Sequence, residues 1–217
     1  MRFPCLVLDH DDTVVNSTAV IHFPSFLAYL AQVRPGLSYT LDDYFRKNFD
    51  PGIIPLFKDE LGFTDEELEG EYQFWQNWVA TRVPEAYPGM REILERYKAR
   101  GGKIAVVSHS VSDVIRRDYR ENGLPEPDLI FGWEQPAERR KPNKWPLEQI
   151  MRELKLGPQE LLMVDDLKPG FEMARSCGVP FAAAGWANDI PEIEQFMRKN
   201  CDFYCKTVQE LEKLLDE

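Results

Sequence analysis

Short continuous apolar runs alternate along the chain with stretches in which apolar residues recur every three or four positions. Residues 3–8, FPCLVL, form a run that stops abruptly at Asp9. A run of that length predicts a strand buried on both faces, as in a parallel sheet. Similar runs stand at 103–107 (KIAVV), 128–131 (DLIF) and 161–164 (LLMV), with weaker ones at 180–184 and 202–205. Helical spacing fills the intervals. Met90, Ile93, Leu94 and Tyr97 form one face, with Pro88 near its start and Gly101 past its end. Val111, Val114, Ile115 and Tyr119 form another, stopped by Gly123, and Leu147, Ile150, Met151 and Leu154 a third, stopped by Gly157. Helices are also expected over 170–177, 191–199 and 207–215, the last opening on Thr207 with Glu210 at capping-box spacing. Strand and helix in alternation predict an α/β fold with a doubly wound parallel sheet. Its strand C-termini share one edge, where ligands bind. Asp9, Ser108 and Asp165 all fall at that edge.

Residues 17–87 break the alternation. They hold helical patterns and loops but no strong strand. Thr40 with Asp43, and Thr64 with Glu67, have capping-box spacing, and Leu68, Tyr72, Trp75 and Val79 form an apolar stripe at helical period. That stripe is expected to serve helix packing. The segment DPGIIPLF at 50–57 interrupts the helices. The predicted organisation is an α/β core of residues 1–16 and 88–217, with a helical insertion, 17–87, after the first strand and over the strand ends.

Composition narrows the function. The chain has 217 residues, 43% of them apolar and 29% charged. This is a globular balance, and at that length roughly 70% of the unfolded chain's surface can be buried without a metal or disulfide. A net charge of −11 argues against a general nucleic-acid or anionic-membrane binder. It leaves room for a small anion, since a metal ion or one lysine reverses the field locally. No apolar run is long enough to cross a membrane, and the N-terminus turns acidic by residue 9, too early for a signal peptide. A cytoplasmic protein is expected, and nothing demands more than a monomer or weak homodimer. Of the four cysteines, Cys5 and Cys177 lie in apolar stretches, and Cys201 and Cys205 lack companions for a zinc site.

The sharpest chemical feature is Asp9-His10-Asp11-Asp12-Thr13. Three carboxylates within four residues repel one another and call for a cation or shared protons. Oxygen-only ligands of this type suit Mg²⁺. Asp9 and Asp11 share a side of an extended chain, so one can attack while the other exchanges protons. A second acidic pair, Asp165-Asp166, ends another strand. His10 and His109 each follow a strand-end residue. Alternation turns His10 away from Asp9 to pack elsewhere, whereas His109 lies in a loop that opens toward the strand ends.

DHDDTVVNS resembles the DxDxT signature of the haloacid dehalogenase superfamily, on its branch of aspartate-nucleophile phosphatases. Ser108 ending KIAVVS, Lys141 opening KPN, and Asp165-Asp166 in LLMVDDLKPG follow in the family's motif order, and YPGMREILERYKARG resembles its approach to the second motif. The resemblance runs from residue 3 into the 170s. It implies a Rossmann-like core, an aspartyl-phosphate on Asp9, and Asp11 as acid and then base. It implies Ser108 on a phosphoryl oxygen, Lys141 neutralising charge, and Mg²⁺ held by Asp9, Asp165 and the main chain of Asp11. Asp166 is a further ligand or stands behind one. Substrate contacts are expected from Thr13, Ser108, His109 and Lys141. The family often has glycine where this chain has Asp12 and Val164. Neither substitution removes a catalytic group, although Asp12 adds negative charge beside the phosphate site. The insertion matches the family's helical cap, in which Asn16, Arg46, Lys47 and Trp75 are candidates for substrate selection.

The expected function is Mg²⁺-dependent hydrolysis of a small phosphorylated metabolite, in the manner of the phosphoglycolate phosphatase-like group. A phosphoglucomutase-type enzyme shares the same motifs, and a non-catalytic phosphate-binding or regulatory protein could share the scaffold. A complete set of Asp9, Asp11, Ser108, Lys141 and Asp165 argues against the latter. Dehalogenation needs no second carboxylate, and a receiver-like signalling domain carries no long helical insertion after its first strand.

Overall fold

The structure, a computed structural model, describes residues 2–216. The six apolar runs are strands: β1 (Cys5–Leu8), β2 (Lys103–Val107), β3 (Leu129–Phe131), β4 (Leu161–Asp165), β5 (Phe181–Ala184) and β6 (Phe203–Cys205). They form one parallel sheet in the order β3-β2-β1-β4-β5-β6. Burial explains the run lengths. Every residue of β1, β4 and β5 is buried, while the edge strands β3 and β6 are partly exposed. The chain winds outward from β1 through β2 to β3, then returns to β4 on the other side of β1. The order therefore reverses between β1 and β4, which makes their C-terminal ends the switch point of the sheet. Register there is fixed by Leu8 opposite Val164.

The chain divides into two compact units, Met1–Asn16 with Glu85–Glu217, and Ser17–Pro84. The second boundary falls at Pro84, ahead of the expected residue 87, because residues 85–87 pair with the segment after β1. The Asn16 N–H donates to the Glu85 carbonyl at 2.9 Å, the Tyr87 N–H donates to the Val14 carbonyl at 3.0 Å, and Val15 bridges Ala86.

The Ser17–Pro84 unit is helical: α1 (Phe23–Val33), α2 (Leu41–Phe49), the single turn α3 (Ile53–Pro55) and α4 (Asp65–Ala80). Both expected capping boxes form, Thr40 with Asp43 and Thr64 with Glu67. Its core is aromatic, with Phe26, Tyr29, Tyr44, Phe57 and Phe63 around Leu30 and Leu56. The α4 stripe differs from expectation. Val79 is buried, and Leu68 packs on the aromatic core beside Phe74, but Tyr72 and Trp75 stay partly exposed and stack on each other. The Trp75 indole N–H donates to His22 Nδ1 at 3.0 Å. A polar partner, not an apolar pocket, holds that ring.

In the other unit, α5 (Met90–Ala99), α6 (Ser112–Glu121), α7 (Trp145–Leu154), α8 (Lys168–Cys177), α9 (Pro191–Asn200) and α10 (Val208–Asp216) link or follow the strands. The predicted face of α5 is buried, and α6 and α7 bury Ile115, Tyr119, Leu147 and Ile150 of theirs while Val111, Val114, Met151 and Leu154 are partly exposed. Met90, Ile93, Leu94 and Tyr97 of α5 join Ile115 and Tyr119 of α6 and Leu211, Leu214 and Leu215 of α10 in a core with Leu6, Leu8, Ile104 and Val106 of the sheet. All four cysteines are free thiols. Among the described residues no helix is long and apolar enough to cross a membrane.

Candidate active site

Two neighbouring strands end in carboxylates. The Asp9 N–H donates to the Val164 carbonyl at 2.9 Å, which extends the β1–β4 ladder by one step and sets Asp9 beside Asp165. Lys141, from the loop before α7, closes the pair. Its ammonium donates to Asp9 Oδ1 at 2.8 Å and to Asp165 Oδ2 at 2.7 Å. Asp165 Oδ1 accepts the Leu167 N–H at 2.8 Å, so both of its oxygens are engaged. Gly170, in the first turn of α8, lies flat against the same carboxylate. A Cβ built there would collide with the carboxylate and lie 2.8 Å from Asp165 Cβ. Glycine at this position is what lets the start of α8 approach the acid.

Asp166 completes the acidic group. One oxygen each of Asp9, Asp165 and Asp166 lie within 4.8 Å of one another, and all three residues are buried. Lys141 is also buried. Burial opposes its charge, but the Asp165 and Asp9 carboxylates outweigh that and hold the ammonium above its usual range. Burial raises the carboxyl of Asp166 well above the ordinary value, reinforced by the charges of Asp165, Asp12 and Asp9. Burial likewise raises Asp165, against the pull of Lys141. One cation facing four carboxylates leaves the cluster short of positive charge. Converging buried oxygens with excess negative charge fit a hard divalent ion. Asp9, Asp165 and Asp166 are the side chains able to hold it.

The turn after β1 sets Asp11 apart from this group. The Asp12 N–H donates to the Val15 carbonyl at 2.7 Å, and the Val14 N–H to the His10 carbonyl at 2.9 Å. Asp12 adopts left-handed backbone, φ 56°. That conformation favours glycine, and aspartate is among the few other residues that take it readily. Asp11 is half-buried, and its Oδ2 accepts a hydrogen bond from Ser110 Oγ at 2.6 Å. Ser108 Oγ accepts the Ser110 N–H at 3.1 Å, which leaves the Ser108 hydroxyl hydrogen to donate elsewhere.

His109 lies partly exposed on the same loop. Its Nε2 meets the Lys141 carbonyl at 3.2 Å, and its ring sits edge-on to Trp133. Burial, and then the Lys141 charge, push its pKa down to about 4. The ring is therefore neutral near pH 7. A carbonyl only accepts, so Nε2 carries the hydrogen and Nδ1 presents a lone pair.

The other expected residues make contacts of their own. His10 points away from Asp9, as alternation requires. It is wholly buried, with Nε2 on Asp118 Oδ2 at 3.1 Å and its ring stacked on Tyr119. Thr13 is fully buried as well. Its hydroxyl reaches Asp166 Oδ1 at 3.5 Å, and its carbonyl accepts the Trp186 indole N–H at 3.1 Å. It supports Asp166 from behind and does not reach a solvent-facing surface. Arg46 lies 3.7 Å from Asp43 and Lys47 pairs with Glu60, both within the helical unit. Asn16 is exposed in the turn that pairs with Glu85. Sequence reasoning missed Ser110 and Gly170. Ser110 stands two residues after Ser108, and a glycine in a helix's first turn is itself a signal of close backbone approach.

Comparison with known proteins bears on the family and the fold. The chain is 27% identical over 192 residues to pyrophosphatase PpaX of Halalkalibacterium halodurans, covering 86% of each protein. It is 26% identical over 221 residues to phosphoglycolate phosphatase of Aquifex aeolicus, covering 97% of this chain and 96% of that one. In fold it matches a haloacid dehalogenase-like family hydrolase from Streptococcus pneumoniae with a TM-score of 0.78 at 16% identity, covering 98% of this chain and 97% of that one. It also matches CbbY from Rhodobacter sphaeroides, solved in complex with phosphate, with a TM-score of 0.68 at 17% identity and 96% of each chain covered. The haloacid dehalogenase-like hydrolase family model matches residues 6–184, from β1 to the end of β5. With the sheet order, the strand-end carboxylates and the family match in agreement, the chain belongs to the haloacid dehalogenase-like hydrolase family.

Proposed function

We propose that this protein is a Mg²⁺-dependent phosphatase of small phosphate compounds that works through an aspartyl-phosphate on Asp9. The observation that carries the reading is the convergence of Asp9, Lys141 and Asp165 through bonds of 2.8 and 2.7 Å, with Asp166 in the same group, at the switch point of the sheet. An Asp9 carboxylate oxygen attacks phosphorus while the bond from phosphorus to the leaving oxygen breaks, and Asp11 delivers a proton to that oxygen. Asp11, now a base, takes a proton from water. The water oxygen attacks phosphorus, the bond to Asp9 breaks, and phosphate leaves. Lys141 offsets charge on Asp9 and the phosphoryl oxygens, and the Ser108 hydroxyl donates to one of those oxygens. Mg²⁺, held by Asp9, Asp165 and Asp166, would neutralise phosphoryl charge. His109, on the loop that carries Ser108 and Ser110, is a candidate contact for the part of the substrate beyond the phosphate. The helical unit serves as the cap that selects it.

The names of the relatives suggest the compounds to try first: inorganic pyrophosphate and 2-phosphoglycolate. The test is phosphate release from a panel containing both, with Mg²⁺ and with EDTA, alongside Asp9→Asn. The expected result is Mg²⁺-dependent release that Asp9→Asn abolishes. Folded wild-type protein that binds Mg²⁺ yet releases no phosphate from any member would overturn the reading.

A further inference from the structure

Ser110 belongs to none of the four motifs, yet it ties two of them together. Its hydroxyl donates to Asp11 Oδ2 at 2.6 Å, and its N–H donates to Ser108 Oγ at 3.1 Å. Its carbonyl accepts the Trp133 N–H at 2.9 Å. The residue is 1% exposed. A Cβ on Gly132 would lie 2.7 Å from the Ser110 carbonyl oxygen and 2.7 Å from the Ser112 nitrogen, so the backbone of β3's exit presses directly on this turn. All three hydrogen-bonding groups of Ser110 are thus committed, on a segment in close contact with the backbone at Gly132.

We propose that Ser110 is a positioning residue for Asp11, resting on the reading of Asp11 as the proton donor to the leaving group. A hydroxyl donor needs a lone pair on the oxygen it meets. The carbonyl oxygen of a carboxylic acid is its better acceptor, so the Ser110 bond to Oδ2 favours the acid proton on Oδ1 and orients the carboxyl plane. One rotamer and one oxygen are selected for proton transfer. Ser110 touches no reacting atom. Its effect passes through the orientation of Asp11, where small displacements are costly.

Leaving groups separate this role from a structural one. An alkoxide needs a proton as it departs, whereas p-nitrophenolate does not. The measurement is kcat/KM, which reports steps up to leaving-group departure, for p-nitrophenyl phosphate and for 2-phosphoglycolate. Wild type, Ser110→Ala, Ser110→Thr and Asp11→Asn are compared. Ser110→Ala is expected to lose about 10- to 100-fold on the alkyl ester and less than about threefold on the aryl ester. Ser110→Thr, which keeps the hydroxyl, restores most of the loss. The ratio of the two esters is taken within each preparation, so any unfolded fraction cancels. Equal losses on both esters, or no loss on either, would overturn the proposal. If Asp11→Asn discriminates between the esters and Ser110→Ala does not, only the role of Ser110 fails. If Asp11→Asn treats them alike, the acid role of Asp11 fails, and that of Ser110 with it.

Discussion

Gly170→Ala adds a single methyl group at the most crowded point of the acidic cluster. The new Cβ would overlap the Asp165 carboxylate and lie 2.8 Å from Asp165 Cβ. Ordinary carbon–carbon contact begins near 3.5 Å, so the overlap with Cβ alone is roughly 0.7 Å, and with the carboxylate it is larger. Asp165 has little room to yield. It is wholly buried, one oxygen held by Lys141 at 2.7 Å and the other by the Leu167 N–H at 2.8 Å. A retreat of about 1 Å stretches either bond beyond useful hydrogen-bond length. The alternative, lifting α8 away, opens the packing of Phe171, Met173 and Ala174. Overpacking of this kind costs about 1–3 kcal/mol. Misplacing a charged group beside the nucleophile by about 1 Å costs on the order of 100-fold in rate. The assay is urea unfolding together with Mg²⁺-dependent phosphate release. A Gly170→Ala protein within about 0.5 kcal/mol of wild-type stability and with nearly full activity would refute the close approach, because that is the range of a surface substitution.

Asp12 and His109 offer sharper local tests. At φ 56° a β-branched side chain is strained, so Asp12→Val should be less stable than Asp12→Gly by about 1–2 kcal/mol, read as a difference in urea midpoints. Equal midpoints would contradict the left-handed turn. His109 is held near pKa 4, below the ordinary 6.5, by burial and the Lys141 charge. In the window between those values the unfolded chain takes up a proton that the folded one refuses. Stability from this residue is therefore full above pH 6.5 and falls as the pH drops toward 4. His109→Asn should unfold with a flatter pH profile across that window, and an unchanged slope would contradict the lowered pKa of the ring.

Much of this architecture was legible because burial leaves a direct trace in sequence. β1 and β4 read as unbroken apolar runs since both faces are covered, and each run ends at a carboxylate of the acidic group. The capping boxes at Thr40 and Thr64 were legible for a similar reason, since the spacing itself is the hydrogen-bond geometry. What escaped was whatever depends on loop trajectory. Ser110 reaches Asp11 only because the turns after β1 and β2 face each other, which no local pattern records. Thr13 stands in the signature, but the tight turn at Asp12 carries it behind Asp166. The stripe on α4 misled in part because Trp75 has a polar edge, and hydrophobic periodicity counts it as apolar. The limit at Pro84 could not be placed from composition, since residues 85–87 pair with Val14, Val15 and Asn16 across a long excursion of chain.

That pairing gives the helical insertion an unusual independence. The chain departs after Asn16 and returns at Glu85, and those two residues share a backbone hydrogen bond of 2.9 Å. Along the chain, Ser17–Pro84 is the loop that this bridge closes. The entropy of closing such a loop grows only slowly with its length, by about 0.6 kcal/mol per doubling. A change in the length of the insertion therefore adds little to the entropic cost of closing the bridge.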